Sequence, residues 1–298
     1  MISLKKRFGM KVLLIGWNEN ALRCMENIIE SKHTLSCVIT PDKYDNEDIK
    51  KICTKNKVKY VTVSSSGKLA KYIEKLAPDI VVSASWPWIL KKDVFSLPLN
   101  RTINVHASLL PKNRGMHPLN WSIIRGESET GVTVHYIGSG VDDGDIILQE
   151  AFPIEITDDI NSVKDKATVL GGEILVKALD LIEGGKVKRQ KQVHSQVTLA
   201  PKRTPEDGLI DWNDTSRNIF NLIRALSEPY PNAFSYTETG DMVKISDSFV
   251  ADKKGYVIAK YKKWFLVTTG DGVILVKSKN LKVGDKLKLC TAPVKLDT

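Results

Sequence analysis

Asn104 and His106 close an apolar run in "INVHASLLPKNRGMHP", residues 103–118, two positions apart and just before a Pro-Lys-Asn-Arg-Gly bend. In an extended segment that spacing turns both side chains to one face. An Asn amide there can stabilise the oxyanion of a tetrahedral intermediate. An imidazole beside it can take the proton of an attacking amine. A carboxylate is the third group such an acyl transfer uses, to fix the imidazole tautomer or accept the proton in turn. Asp142, in the Gly-flanked bend "GSGVDDGD", is the candidate. No nucleophilic Ser or Cys is needed when the substrate supplies the amine. The same Asn and His also suit an ordinary hydrogen-bonded loop, and spacing alone leaves both readings open.

These residues need a scaffold that brings strand ends together. "KVLLIG" (11–16), "TLSCVIT" (34–40), "VKYVTVS" (58–64), "DIVVSAS" (79–85) and "RTINVH" (101–106) read as strands, separated by helical patterns such as "NALRCMENIIES". Alternation of this kind predicts βαβ units and a doubly wound parallel sheet. In such sheets ligands bind beyond the carboxyl ends of the strands, where Asn104 and His106 fall. "TGVTVHYI" (130–137) alternates apolar Val132, Val134 and Tyr136 with polar neighbours, as in a strand with one wetter face. An extended "DIILQEAFPIE" and a long helix ending in Gly184–Gly185 follow.

The order predicts an N-terminal extension over 1–9, a catalytic α/β domain over 10–185, and a polar, basic linker over 186–208. Residues 209–298 then form a second domain. Its helical pattern "TSRNIFNLIRALS" precedes short strand candidates with Gly-Asp turns, "TGDG" (269–272) being the best hairpin signal, and the whole suits a small OB-like antiparallel barrel. "KVGDKLKL" (282–289) is its last expected strand.

Several function classes find no support. Cys24, Cys37, Cys53 and Cys290 form no C-x-x-C pair or zinc-type cluster and read as reduced thiols of a cytoplasmic protein. No apolar stretch approaches the ~20 residues of a membrane helix, and the run Val12–Ile15 is too short for a signal-peptide core. "GWNEN" lacks the G-x-G-x-x-G pattern of a dinucleotide site. His33, His135 and His194 have no supporting context and read as surface or packing residues. The net charge of +9 suits an anionic substrate or RNA, and equally a Lys-rich surface.

"INVHASLLPKNRGMHPLNW", followed by "GESETGVTVHYI" and "VDDGDII", resembles the signature of the formyltransferases that use 10-formyltetrahydrofolate, and "RTPEDGLIDW" and "EPYPNAFSY" extend the likeness beyond the linker. The resemblance implies Asn104, His106 and Asp142 as catalytic residues, with no metal. It implies a folate-binding loop at "SASWPWIL", with Trp88, Ile89 and Leu90 on one side and Val141 and Asp142 on the other. For the acceptor it implies glycinamide ribonucleotide, initiator methionyl-tRNA or a nucleotide-linked amino sugar. The second domain speaks against the first. The basic loop by which methionyl-tRNA enzymes grip the acceptor stem is replaced here by the short, partly acidic "ITPDKYDNEDIKKI".

A nucleotide-diphosphate amino sugar of polysaccharide biosynthesis is therefore the expected acceptor, with methionyl-tRNA the alternative. Lys112 and Arg114 are candidates for its diphosphate and Tyr230 for its base or sugar. A non-catalytic relative binding RNA or polysaccharide would lack part of the Asn-His-Asp set, which is complete here. A homodimer is left open.

Overall fold

Successive side chains of a strand point to opposite faces, so apolar residues at every position from Val12 to Ile15 demand a sheet covered on both sides. The computed structural model describes residues 9–248, 257–261, 264–268, 273–277 and 282–284. In it Val12 and Leu14 join one buried cluster and Leu13 and Ile15 another.

Strands β1 (Lys11–Gly16), β2 (Thr34–Pro41), β3 (Lys59–Val63), β4 (Ile80–Ala84) and β5 (Thr102–His106) alternate with helices α1 (Glu19–Glu30), α2 (Glu47–Lys55), α3 (Ser66–Leu76) and α4 (Lys92–Phe95). All neighbouring pairs among these strands are parallel. A two-residue strand β6 (Arg114–Gly115) and helix α5 (Pro118–Ile124) lead to β7 (Glu129–Tyr136) and β8 (Ile146–Pro153). The sheet runs β3-β2-β1-β4-β5-β7-β8, with β7 and β8 antiparallel to their neighbours. The expected Rossmann-like sheet thus carries an antiparallel pair at one edge. Helix α6 (Ile160–Glu183), capped by an Asp159–Ser162 box, contributes Ile174, Leu175 and Leu179 to the first cluster.

β7 corrects the expectation of a wetter face: every residue from Thr130 to Tyr136 is buried. Its polar positions are paired instead of hydrated. Thr130 meets Ser122 at 3.1 Å, and Thr133 donates to the Ser108 carbonyl at 2.6 Å while accepting from Gln149 at 2.7 Å.

The segment expected to be a free linker is strapped to the sheet. Gln190 bridges to Ile146, and β9 (Leu199–Ala200) pairs in parallel with β6. Periodicity could not show this, because the segment borrows its partners from distant strands. Helix α7 (Ser216–Ala225) and the hairpin of β10 (Ala233–Tyr236) and β11 (Met242–Ile245) follow. Asn120 Nδ2 donates to Ala225 O at 2.7 Å, and Arg224 donates to the carbonyls of Glu155 and Asp158 at 2.9 and 2.8 Å. These bonds carry the first compact unit past residue 208 to Ser246.

The second unit, from Asp247, contains a three-stranded antiparallel sheet of β12 (Val257–Tyr261), β13 (Trp264–Thr268) and β14 (Val273–Lys277). β13 and β14 pair as far as Thr268↔Val273, on either side of the expected 269–272 turn. That turn, the strand expected at 282–289 beyond Gly284, the closure of a barrel and the first eight residues lie outside the described residues. Among the described residues no helix is long and apolar enough to cross a membrane.

Gly16 ends β1 where β4 and α1 converge: a Cβ there would meet Ala84 O at 2.2 Å and Ala21 Cβ at 2.6 Å. Gly16→Ala should therefore destabilise the first unit by about 1–3 kcal/mol, the usual penalty for overpacking. Thermal denaturation checks this, and an unchanged midpoint would show that strand and helix can separate freely.

Candidate active site

Antiparallel pairing of β5 with β7 sets Asn104 opposite His135 and His106 opposite Thr133. Directly opposed residues share a face, so the amide and both imidazoles converge on one side of the sheet. Ile103 and Val105 take the other side and enter the first core cluster.

Asp142 meets this group from the turn between β7 and β8. Its Oδ2 lies 3.6 Å from His106 Nδ1 and its Oδ1 lies 3.6 Å from His135 Nε2. Asn104 Nδ2 sits 3.3 Å from His135 Nε2 and 3.5 Å from Asp142 Oδ1. The Gly115 N–H, on β6, donates to Asp142 Oδ2 at 3.0 Å. Asp142 has a positive φ of 46°, a conformation that costs a non-glycine residue energy and must be held from outside. Two features hold it. Gly144 passes so close to Tyr136 O that a Cβ would lie 1.7 Å from that oxygen, and Gln192 Nε2 donates to Asp142 O at 2.7 Å and to Gly144 O at 2.8 Å.

Burial by itself would raise the Asp142 pKa; the charges of His106 and His135, hydrogen bonding to His135 and the Gly115 N–H outweigh it and hold the carboxyl below the ordinary carboxylate range. Asp142 is therefore ionised at neutral pH. His106 Nε2 lies 2.9 Å from Asn113 O. A carbonyl only accepts, so Nε2 carries a proton and the ring turns its Nδ1 toward Asp142. By the same argument His135 donates from Nδ1 to Tyr136 O at 2.8 Å and turns its Nε2 toward Asp142. The Asn113 carbonyl thus orients His106, where the sequence pointed to Asp142 for that task; at 3.6 Å the carboxylate is placed to stabilise a proton arriving on Nδ1.

Asn113 is itself buried, with φ 56°. Its Nδ2 donates to Ser122 Oγ at 3.0 Å and Glu127 at 3.2 Å, its N–H donates to Thr198 Oγ1 at 2.8 Å, and Arg125 donates to its Oδ1. The bend is a built support for the imidazole.

The other expected residues divide. Arg114 is buried, and its Nε and one terminal nitrogen donate to Gln192 Oε1 at 2.9 and 2.6 Å, so that edge of its planar fork is turned to an amide of the chain itself. Lys112 is exposed on the same bend. Tyr230 packs against His117, ring centroids 6.3 Å apart, in a cleft that Asn18, Asn20, Ser85, His117 and Lys164 also line. This cleft, about 140 Å³, lies at the ends of β1 and β4, where the strand order reverses. It reaches β5 at Val105 and Ala107, so Asn104, His106 and Asp142 do not line it.

Ile89 and Val141 are exposed while the Leu90 side chain is committed to the second core cluster. Trp88 packs on that cluster and edge-on against Trp86. His135, assigned to packing by the sequence, and Gln192, assigned to the linker, both belong to the site. Parity along "GVTVHYI" opposes His135 to the core-facing valines and is the signal for it; Gln192 has no local signal.

Among the described residues one cluster elsewhere could hold a cation, formed by His33, Asp180 and Glu183. Met10 N–H donates to His33 Nδ1 at 3.1 Å, so the neutral ring carries its proton on Nε2 and turns a hydrogen, not a lone pair, toward Asp180 Oδ1 at 3.3 Å. Lys32 completes an ion-paired staple there.

An Asp whose folded pKa is depressed contributes stability above its unfolded pKa and loses it as pH falls through the folded value. The stability difference between the protein and its Asp142→Asn variant should be flat from neutrality to about pH 5, then shrink as pH falls below the unfolded value of 3.8. Denaturant titrations across pH measure this, and a difference independent of pH would mean that the carboxylate is not ion-paired.

Two family models match the chain: "Formyl transferase" over residues 18–179 and "Formyl transferase, C-terminal domain" over 202–290. The methionyl-tRNA formyltransferase of Alkaliphilus oremlandii is 36% identical over 283 residues, covering 90% of this chain and 91% of that protein. The Francisella tularensis 4-N formyltransferase shares the fold with a TM-score of 0.67 at 23% identity, over 80% of this chain and 96% of that one. The Helicobacter canadensis N-formyltransferase, solved with folinic acid and dTDP-3-aminofucose, does so with a TM-score of 0.65 at 21% identity, over 90% and 99%. With an amide, an imidazole and an ionised carboxylate gathered at the strand ends of a matching two-part chain, the protein belongs to the formyl transferase family.

Proposed function

We propose that this enzyme moves a formyl group from 10-formyltetrahydrofolate to the amine of a nucleotide-linked amino sugar. The observation that carries the choice of a small acceptor is the link between β2 and α2. It is a single turn, Asp42–Tyr44, with α2 beginning at Glu47. It carries Asp42, Lys43 and Asp45, the first turn of α2 adds Glu47 and Asp48, and the next lysines are tied back as Lys50–Glu47 and Lys51–Asp48 pairs at 3.2 Å. A segment so short and acidic repels RNA phosphates. The second reading, methionyl-tRNA, is favoured by the 36% identical relative. Lys186, Lys188, Arg189, Lys191, Lys202 and Arg203, on the segment that reaches the site, also suit it.

The donor fits the side of the sheet that carries Asn104. Exposed Ile89, exposed Val141 and the buried, unpartnered indole N–H of Trp86 form a wall with one donor still to be satisfied. The acceptor fits the cleft of Asn18, Asn20, Ser85 and Tyr230, so that its amine and the formyl carbon meet over the end of β5. The amine nitrogen attacks the formyl carbon and the carbonyl oxygen takes the negative charge. Asn104 Nδ2, held only by contacts of 3.3 and 3.5 Å, is free to donate to that oxygen. The amine proton passes to His106 Nδ1, where Asp142 stabilises it, and is returned to the folate nitrogen as the carbon–nitrogen bond to the donor breaks.

Asn104→Ala and His106→Asn should each slow turnover by roughly 10² to 10³ with the fold intact. Near-normal rates would remove that side chain from the reaction. Supplying 10-formyltetrahydrofolate with a panel of nucleotide amino sugars, and separately with methionyl-tRNA, should give formylation of a sugar amine. Turnover with methionyl-tRNA alone, together with tRNA binding whose log-log salt slope is roughly 0.7 to 0.9 per phosphate contact, would replace the sugar by the tRNA.

A further inference from the structure

We infer that Gln192 is a positioning residue for Asp142, acting with Arg114 as one clamp that reaches the active site from the segment joining the two family-matched regions. The inference rests on the proposed catalytic role of Asp142.

Gln192 is saturated. Both hydrogens of Nε2 are used, one on Asp142 O and one on Gly144 O, while Oε1 accepts two bonds from the Arg114 guanidinium. The amide thus spans from the main chain of the Asp142 turn to β6. It does so beside Gly115, whose N–H holds the Asp142 carboxylate. Backbone and carboxylate of one residue are therefore gripped from two adjacent positions of β6, the carboxylate directly through Gly115 and the backbone through Arg114 and Gln192. Arg114 is buried, and among the described residues its hydrogen bonds go to Gln192. β9 fixes the approach of Gln192 by pairing with β6, Arg114↔Leu199 and Gly115↔Ala200. Asp142 needs such a hold because its left-handed backbone is unfavourable for a residue with a Cβ. Its two 3.6 Å approaches to imidazole nitrogens both depend on where that backbone stands.

Glutamate at 192 separates the two halves of the clamp. It keeps the acceptor for Arg114 but has no hydrogen for the two carbonyls, which it would repel. Gln192→Glu and Gln192→Ala, with rates normalised to the folded fraction, should each lower kcat by about tenfold to a hundredfold, the scale on which a small misplacement of a catalytic group acts. The KM for 10-formyltetrahydrofolate should stay within about threefold, and the Gln192→Glu melting temperature should stay close to that of the parent. A kcat preserved in both variants, or a loss confined to KM and melting temperature, would overturn the clamp. Asp142→Asn is measured alongside: if it retains full turnover, the role of Asp142 fails, whereas an inactive Asp142→Asn with active Gln192 variants sinks the role of Gln192 alone.

Discussion

A carboxylate withdrawn from water has to be compensated on every side, and Asp142 sets that requirement for the whole site. Its side chain is 18% exposed. Two imidazoles, an amide and a backbone N–H surround it, and their combined effect exceeds the cost of burying the charge. Apart from His135, none of these groups is near Asp142 in sequence. β5 supplies Asn104 and His106, β7 supplies His135 and β6 supplies Gly115. The antiparallel turn of β7 brings them together, because it places His135 directly opposite Asn104 and delivers the chain to the Asp142 bend one turn later.

The ring orientations follow from the same network. Asn113 O and Tyr136 O each accept from one nitrogen of one imidazole, so both rings turn their other nitrogen toward one carboxylate. The geometry is poised by main-chain carbonyls, which cannot change protonation and so keep the rings in place throughout a turnover.

The two faces of the sheet carry different groups. Asn104 and His106 lie on one, while Val105 and Ala107 open on the other to the cleft of Asn18, Ser85 and Tyr230. The segment after α6 runs past this arrangement, bonded to β6 through β9 and to the Asp142 turn through Gln192. A connection between two family-matched regions is in this way part of the support for the reacting groups.

Local sequence determined the parallel core, because strands buried on both faces must be continuously apolar and their helices amphipathic, and both patterns are visible within a dozen residues. Asn104 and His106 were legible for the same reason: alternation along one strand assigns them a common face whatever else surrounds them. Their meeting with Asp142 came from a resemblance, not from spacing. The sequence left to tertiary structure what depends on pairing between distant segments. The register of β5 against β7 turned His135 from a packing residue into a neighbour of Asn104. The pairing of β6 with β9 turned a polar linker into a strap and buried Arg114 against Gln192. A guanidinium in a bend looks the same in sequence whether it faces solvent or an amide 78 residues away, since only the folded chain decides which partner satisfies it.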